Sequence, residues 1–224
     1  MSININNSTI ITNHYDDFYF SNFQKEIGEF AGKESVFMFN DSISESDTVL
    51  DFGCGGGFLL QHISCKNKIG IELNAVARQF CNEVNQIICF ESLRDIENES
   101  VDVVISNHCL EHVTSPYEII TELYKKLKPG GKIVIVVPVE SYKYKWVPND
   151  INNHLYSFSP MNIGNLLQGA NFKKIQTNHI LHKWPPNYKK IYSVFGSKIF
   201  HLIAWIYGTY FNKKFVQIRG QGVK

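Results

Sequence analysis

Arginine is scarce in this 224-residue chain: Arg78, Arg94 and Arg219 are the only three, against 19 lysines. So few guanidinium forks argue against reading of bases, although lysines can still neutralise phosphates, and no sequence-specific nucleic-acid partner is expected. No stretch reaches the roughly 18 apolar residues of a membrane span. The amino-terminal MSININNSTIITNHYDD has no basic segment ahead of an apolar one, so no signal peptide is expected. The five cysteines, Cys54, Cys65, Cys81, Cys89 and Cys109, are odd in number, form no C-x-x-C and lie in apolar segments. That pattern describes free thiols in a reducing, cytoplasmic compartment rather than a disulfide framework. Acids are missing altogether after Asp150, where ten basic residues remain among many Tyr, Phe and Trp. Residues 1–120 hold 18 acids and 6 bases, so the net charge of +1 conceals a strongly divided chain. The basic, aromatic third points to an anionic partner or surface.

What is present begins with Val49-Leu50-Asp51-Phe52-Gly53-Cys54-Gly55-Gly56-Gly57, followed by Glu72 at the end of a second apolar run. A buried strand that ends in an acid and breaks into glycines lets backbone approach a ligand at the mouth of an open α/β sheet. A second acid about 20 residues on suits a ribose. The spacing Asp-x-Gly-x-Gly-x-Gly differs from the dinucleotide pattern Gly-x-Gly-x-x-Gly.

Apolar periodicity extends this into an alternation. Strands are expected at Val49 to Phe52, Ile69 to Glu72, Ile87 to Phe90, Val101 to Ile105 and Lys132 to Pro138. Helices are expected at Phe58 to Ile63, Ala75 to Val84 and Pro116 to Leu127, the last opened by a first-turn proline and stopped by Lys128-Pro129-Gly130-Gly131. Such alternation means a parallel sheet with right-handed crossovers. With 44% hydrophobic and 19% charged residues, the length suits one domain, or one domain and an appendage.

The glycine run resembles motif I of the class I S-adenosylmethionine-dependent methyltransferases. Ser100 to Asn107, Leu110-Glu111-His112-Val113 and Leu127 to Lys132 resemble the family's next landmarks in the right order, and His154 to Pro160 and Leu166 to Phe172 look like a stretch common in its small-molecule and glycan methyltransferases. The resemblance covers about residues 45–180. It implies an α/β, Rossmann-like seven-stranded sheet, mostly parallel with one antiparallel strand, and helices on both faces. It also implies residues 1–46 as a helical lid or cap and 47–224 as the methyltransferase domain, with a basic, aromatic-rich substrate-side insertion at about 141–212. Tyr15 and Tyr19 belong to that lid or simply dock the amino terminus on the core.

On this resemblance the cofactor is S-adenosylmethionine. Asp51, Gly53 and Gly55 would shape the loop round its methionine part, Glu72 would accept from both ribose hydroxyls, and Leu73 would line the adenine. Ser92 and Leu93 would flank the adenine, although Phe90-Glu91-Ser92-Leu93 lacks the aspartate that many members place there. Ser106 and Asn107, at the carboxyl end of the fourth strand, would contact the cofactor or the substrate. His108, Glu111 and His112 fall at i, i+3 and i+4, one helix face. Ubiquinone-pathway O-methyltransferases, which this segment resembles, carry a metal-assisting acid-x-x-acid-His there. His108 replaces the first acid, and no metal ligands are assigned. Methyl transfer to a hydroxyl needs alignment and removal of a proton, a task for a histidine near neutrality. His108, His112 and His154 are the candidate bases.

The acceptor is expected to be a small molecule or glycan, free or lipid-linked, methylated at oxygen, since no Asn-Pro-Pro-Tyr-like signature of amino-group methylation follows the fourth strand. Two alternatives stand beside it: a non-catalytic protein that binds S-adenosylmethionine or S-adenosylhomocysteine, and a nicotinamide-dinucleotide oxidoreductase. Tyr188 to Phe211 is expected to be a helix with an unusually wide apolar arc, flanked by Lys189, Lys190, Lys198, Lys213 and Lys214. It suits either peripheral contact with an anionic membrane or packing on the sheet and a dimer partner. A monomer or homodimer is expected, with Phe215 to Ile218 as a final antiparallel edge strand.

Overall fold

The computed structural model describes residue 20 and residues 25–140, 143–148, 150–211 and 217–224; Tyr15 and Tyr19 lie outside these. Helix α1 (Lys25–Ser35) leads through two short 3-10 turns to β1 (Thr48–Phe52). There follow α2 (Phe58–His62), β2 (Asn67–Ile71), α3 (Ala75–Glu83), β3 (Ile88–Phe90), β4 (Val101–Asn107), α4 (Pro116–Lys126) and β5 (Leu127–Pro138). The chain closes with α5 (Pro160–Gly169), β6 (Lys173–Ile180), α6 (Tyr188–Ile206) and β7 (Gln217–Val223).

The strands form one seven-stranded sheet in the order β3-β2-β1-β4-β5-β7-β6. Strands β1 to β5 run parallel to their neighbours. Strand β7 is antiparallel to both β5 and β6, so β6 points the same way as the first five. The order reverses between β1 and β4, and an open α/β sheet binds its ligands outside the carboxyl ends of the strands at such a point.

Alternation along the central strands divides the core in two. Leu50 and Phe52 of β1, Val104 of β4 and Ile133, Ile135 and Val137 of β5 face one cluster, closed by α4 and α5. Val49, Val103, Ile105, Val134 and Val136 face the other, closed by α2, Met38 and Phe39. Helices therefore cover both faces, which is why these strands read as unbroken apolar runs. Asp102 staples the sheet's lower edge: its carboxylate accepts from Thr48 N at 2.9 Å and from Lys128 Nζ at 2.8 Å.

Two expectations change. Strand β7 is not an edge strand: it lies between β5 and β6, with Val136 opposite Arg219 and Asn178 opposite Arg219 on its other side. Residues 215 and 216, where it was expected to begin, are outside the described residues. The edge belongs instead to β6, within the stretch read as an insertion at about 141–212. The Lys128–Gly131 turn is also absorbed into β5, with Gly130 at φ +80° and Leu127 pairing with Val101.

Candidate active site at the carboxyl edge of the sheet

Strand β1 delivers Asp51 and then the glycine loop to the switch point. Gly53, Gly55 and Gly57 take φ of +80°, +54° and +79°, the left-handed region where a side chain is strained. Gly53 has a second reason to be glycine: a Cβ there would stand 2.2 Å from Cys109 Sγ. The loop's N–H groups are already engaged, Gly53 and Cys54 donating to Ile71 O at 2.9 and 3.1 Å and Gly55 to Glu72 Oε2 at 2.8 Å. Gly53 and Gly55 thus shape the site through conformation and close approach.

Glu72 joins the two halves of that site. Its Oε1 accepts from Asn74 N at 2.8 Å, its own N–H donates to Phe90 O at 3.0 Å, and Arg78 Nη1 holds its carbonyl at 2.8 Å. Each carboxylate oxygen keeps a lone pair for a further donor, and burial raises its pKa. Leu73, beside it, is exposed. Ser92 caps a 3-10 turn by accepting from Arg94 N at 3.2 Å; Leu93 is buried in the core. Leu93 therefore turns its side chain into the core.

Like Glu111, whose two buried carboxylate oxygens both lack a hydrogen-bond partner, Asp51 is an unsatisfied group of the site. It is 2% exposed, its Oδ1 has no hydrogen-bond partner, and burial, with Cys89 and Glu72 adding to it, pushes its pKa up to about 8. A buried carboxyl without a partner fits a ligand that brings a cation. Asn107 Oδ1, at the end of β4, is likewise buried and unpartnered. Ser106 is wholly buried and its Oγ donates to Phe52 O at 3.0 Å, tying β4 to β1.

Past β4 the three candidate histidines converge on one acid. Leu110–His112 is a single 3-10 turn rather than a helix, and His108 precedes it at φ +52°. Glu111 is fully buried, with His108 Nδ1 at 3.5 Å and His112 Nε2 at 3.8 Å from its Oε1. His154 arrives from far along the chain, because Leu155 and Tyr156 donate to Glu111 O at 2.8 and 3.2 Å. Its ring centroid lies 5.0 Å from that of His112, and its Nδ1 is 2.8 Å from Glu140 Oε1. Sequence spacing missed Glu140. Its signal, an acid two residues after the fifth strand, is weak without the fold. Burial, which outweighs the pull of Glu111, lowers the His112 pKa, so the ring is neutral at pH 7. Burial alone would raise Glu111, but the imidazoles of His108, 3.5 Å away, and His112 bring it below its usual value. Ligand atoms of Glu111, His112 and His154 all fall within 4.8 Å of one another, so these three could also hold a divalent cation.

A mostly parallel sheet with a glycine loop, an acid just after β2 and an unpaired buried carboxyl at its switch point defines an α/β protein of the Rossmann-like class. A family model described as a methyltransferase domain matches residues 15–177. The chain belongs to the class I S-adenosylmethionine-dependent methyltransferases. The ubiquinone biosynthesis O-methyltransferase of Idiomarina loihiensis is 30% identical over 156 residues, 59% of this chain and 64% of that protein. This chain thus spans less than two thirds of that relative's length. Two solved structures share the fold. A SAM-dependent methyltransferase of Thermotoga maritima has a TM-score of 0.68 at 13% identity, covering 95% of this chain and 99% of that one. One from Archaeoglobus fulgidus has a TM-score of 0.60 at 19% identity, covering 93% and 100%.

Proposed function

We propose that this chain transfers a methyl group from S-adenosylmethionine to a hydroxyl of a small-molecule or glycan acceptor. The observation that carries the reading is the convergence of His108, His112 and His154 on buried Glu111, at the end of the strand beside the glycine loop. Asp51, in need of a cation, and Glu72, with lone pairs left for hydroxyl donors, suit the amino acid and ribose parts of that cofactor.

The cofactor supplies an activated methyl on a sulfonium, so the protein must orient the acceptor and remove one proton. Neutral His112 accepts the hydroxyl proton as the oxygen–methyl bond forms, and Glu111 holds the resulting imidazolium by charge. Glu140 fixes the ring of His154 through its 2.8 Å contact, and His154 borders the acceptor space. Were a divalent cation bound at Glu111, His112 and His154, it would acidify a bound hydroxyl. The same acceptor would then need no free imidazole. The relative's name, an O-methyltransferase, favours oxygen over nitrogen. A lipid-linked acceptor fits the apolar outer surface of α6, where Phe195, Leu202 and Trp205 are exposed. Among the described residues no helix is long and apolar enough to cross a membrane, so such contact would be peripheral.

Calorimetric titration with S-adenosylhomocysteine and with NAD tests the cofactor: the first binds, and tight binding of NAD alone would sink the reading. His112→Ala is expected to lower methyl transfer to phenolic or sugar hydroxyls by about 10²- to 10⁴-fold, with affinity for S-adenosylhomocysteine within twofold of the parent. Equal turnover in His112→Ala and His154→Ala chains and in the parent would leave a non-base role for both. A chain that binds the cofactor and turns over no hydroxyl acceptor would favour the non-catalytic binder.

A further inference from the structure

Three cysteines with no part in the chemistry above meet directly beneath the glycine loop. Cys54 stands in the loop itself, Cys81 on the inner side of α3 and Cys89 in the middle of β3, and all three are buried. Their sulfurs lie within 4.8 Å of one another, and Cys54 Sγ is 3.4 Å from Cys89 Sγ. The backbone around them leaves room that a side chain would fill. A Cβ on Gly70 would come 2.5 Å from Cys54 Sγ and 3.0 Å from Cys89 Sγ, and one on Gly57 would come 2.7 Å from Cys81 Sγ. The walls are apolar, from Leu59, Leu60, Ile63 and Ile87, and no imidazole or carboxylate belongs to the group.

We propose that Cys54, Cys81 and Cys89 form a three-sulfur site for a soft monovalent d10 cation of the copper(I) class. A trigonal ion about 2.3 Å from each sulfur sets the sulfurs about 4 Å apart, and the observed group needs shifts of under about an ångström to reach that arrangement. Thiolate softness selects copper(I). Structural zinc takes four ligands, and among the described residues no fourth side-chain donor joins the three. Binding exchanges each S–H bond for a metal–sulfur bond, releases the protons to solvent and changes no oxidation state. Because Cys54 is flanked by Gly53 and Gly55, an ion held there also fixes the loop that carries the cofactor reading, yet the site stands whether or not that reading does.

The test is an anaerobic titration of the reduced chain with copper(I) in competition with bicinchoninate, followed by X-ray absorption of the loaded protein. One ion per chain is expected, with sulfur as its only near neighbours. Cys89→Ala and Cys54→Ala, each checked by thermal melt for folding, should weaken binding by about a hundredfold, and Cys65→Ser, at a thiol outside the group, should leave it unchanged. No ion retained against the chelator, nitrogen or oxygen neighbours in the absorption spectrum, or equal binding by the alanine variants and the parent would each overturn the proposal.

Discussion

The carboxyl of Asp51 is shut off from water, lacks a partner on one oxygen and senses the charge of Glu72. With its pKa pushed up to about 8 it is mostly protonated at pH 7. A bound ammonium or sulfonium beside it favours the charged form, so cofactor binding should expel a proton. Titration of the chain with S-adenosylhomocysteine at pH 7, in buffers of different ionisation heat, is expected to show up to one proton released, and Asp51→Asn to abolish the buffer dependence. Heats identical in every buffer for the parent chain would mean that no ligand cation meets Asp51. In the ligand-free chain the sign runs against ionisation. The fold favours the neutral acid, so this residue's contribution is full below the unfolded value of 3.8 and declines as pH rises toward about 8. None of this unpairing was visible in the sequence, which shows an acid at a strand end but not which of its oxygens the fold leaves bare. The acid–glycine–acid spacing was visible, because a turn that needs positive φ three times leaves its mark in residue type.

Helix α6 shows what residue periodicity reaches and where it stops. Of its two apolar spacings, one buries Phe200 and Ala204 fully, while Ile199 and Leu202 of the other are exposed, as is Trp205. The helix is nonetheless broken at Gly196, whose φ of +74° no periodicity reveals. A Cβ at Gly196 would meet nothing within 4 Å, so Gly196→Ala isolates the conformational cost of a backbone region that only glycine readily adopts, about 1–3 kcal/mol. A melting point lowered by about 2–12 °C is expected for a chain of this size, and an unchanged melt would show that the helix can straighten there. Beneath α6, His201 links Glu34, 3.0 Å away, to His182 at 2.9 Å. Burial first, then His201, lowers His182 to about 4. A base with a depressed pKa contributes stability that is present above its unfolded value of 6.5 and lost as pH falls through 4. The chain should therefore melt at lower temperature between pH 6.5 and pH 4, and His182→Gln should flatten that limb; an equal slope in the variant would assign it to other groups. Strand β6 escaped the sequence for a related reason. As an edge it buries none of its residues fully, and only Ile175 and Ile180 are apolar, so neither alternation nor a hydrophobic run marks it. The five parallel strands, covered on both faces, were legible because burial on both faces forces apolar runs.

At the scale of the whole molecule, the two-fold antiparallel pairing of β7 turns β6 so that its carboxyl end lies on the same edge as the glycine loop. Helix α6 follows from that edge and, with the π-helical turn Tyr207–Phe211 after it, exposes Val194, Phe195, Leu202, Trp205, Tyr210 and Phe211. Lys189, Lys190 and Lys198 are exposed on the same helix, in a third of the chain that contains no acid beyond Asp150. Exposed apolar side chains beside exposed lysines match the interface of an anionic bilayer, where buried area and charge attraction add. Burying even a few of these side chains at about 25 cal/mol per Å² would outweigh the loss of any one lysine, so the two contributions can be separated by experiment. Flotation with vesicles of anionic phospholipid at low salt should carry the chain upward, whereas zwitterionic vesicles should carry little. Raising ionic strength from about 0.05 to about 0.5 M shortens the screening length from roughly 14 to roughly 4 Å and should release part of the bound chain. Trp205→Glu or Leu202→Glu should abolish flotation at either salt while leaving S-adenosylhomocysteine binding intact, because neither residue belongs to the cofactor loop. A parent chain that stays at the bottom of the gradient with anionic vesicles at low salt would remove the membrane from this surface, leaving a second protein chain as the cover for α6.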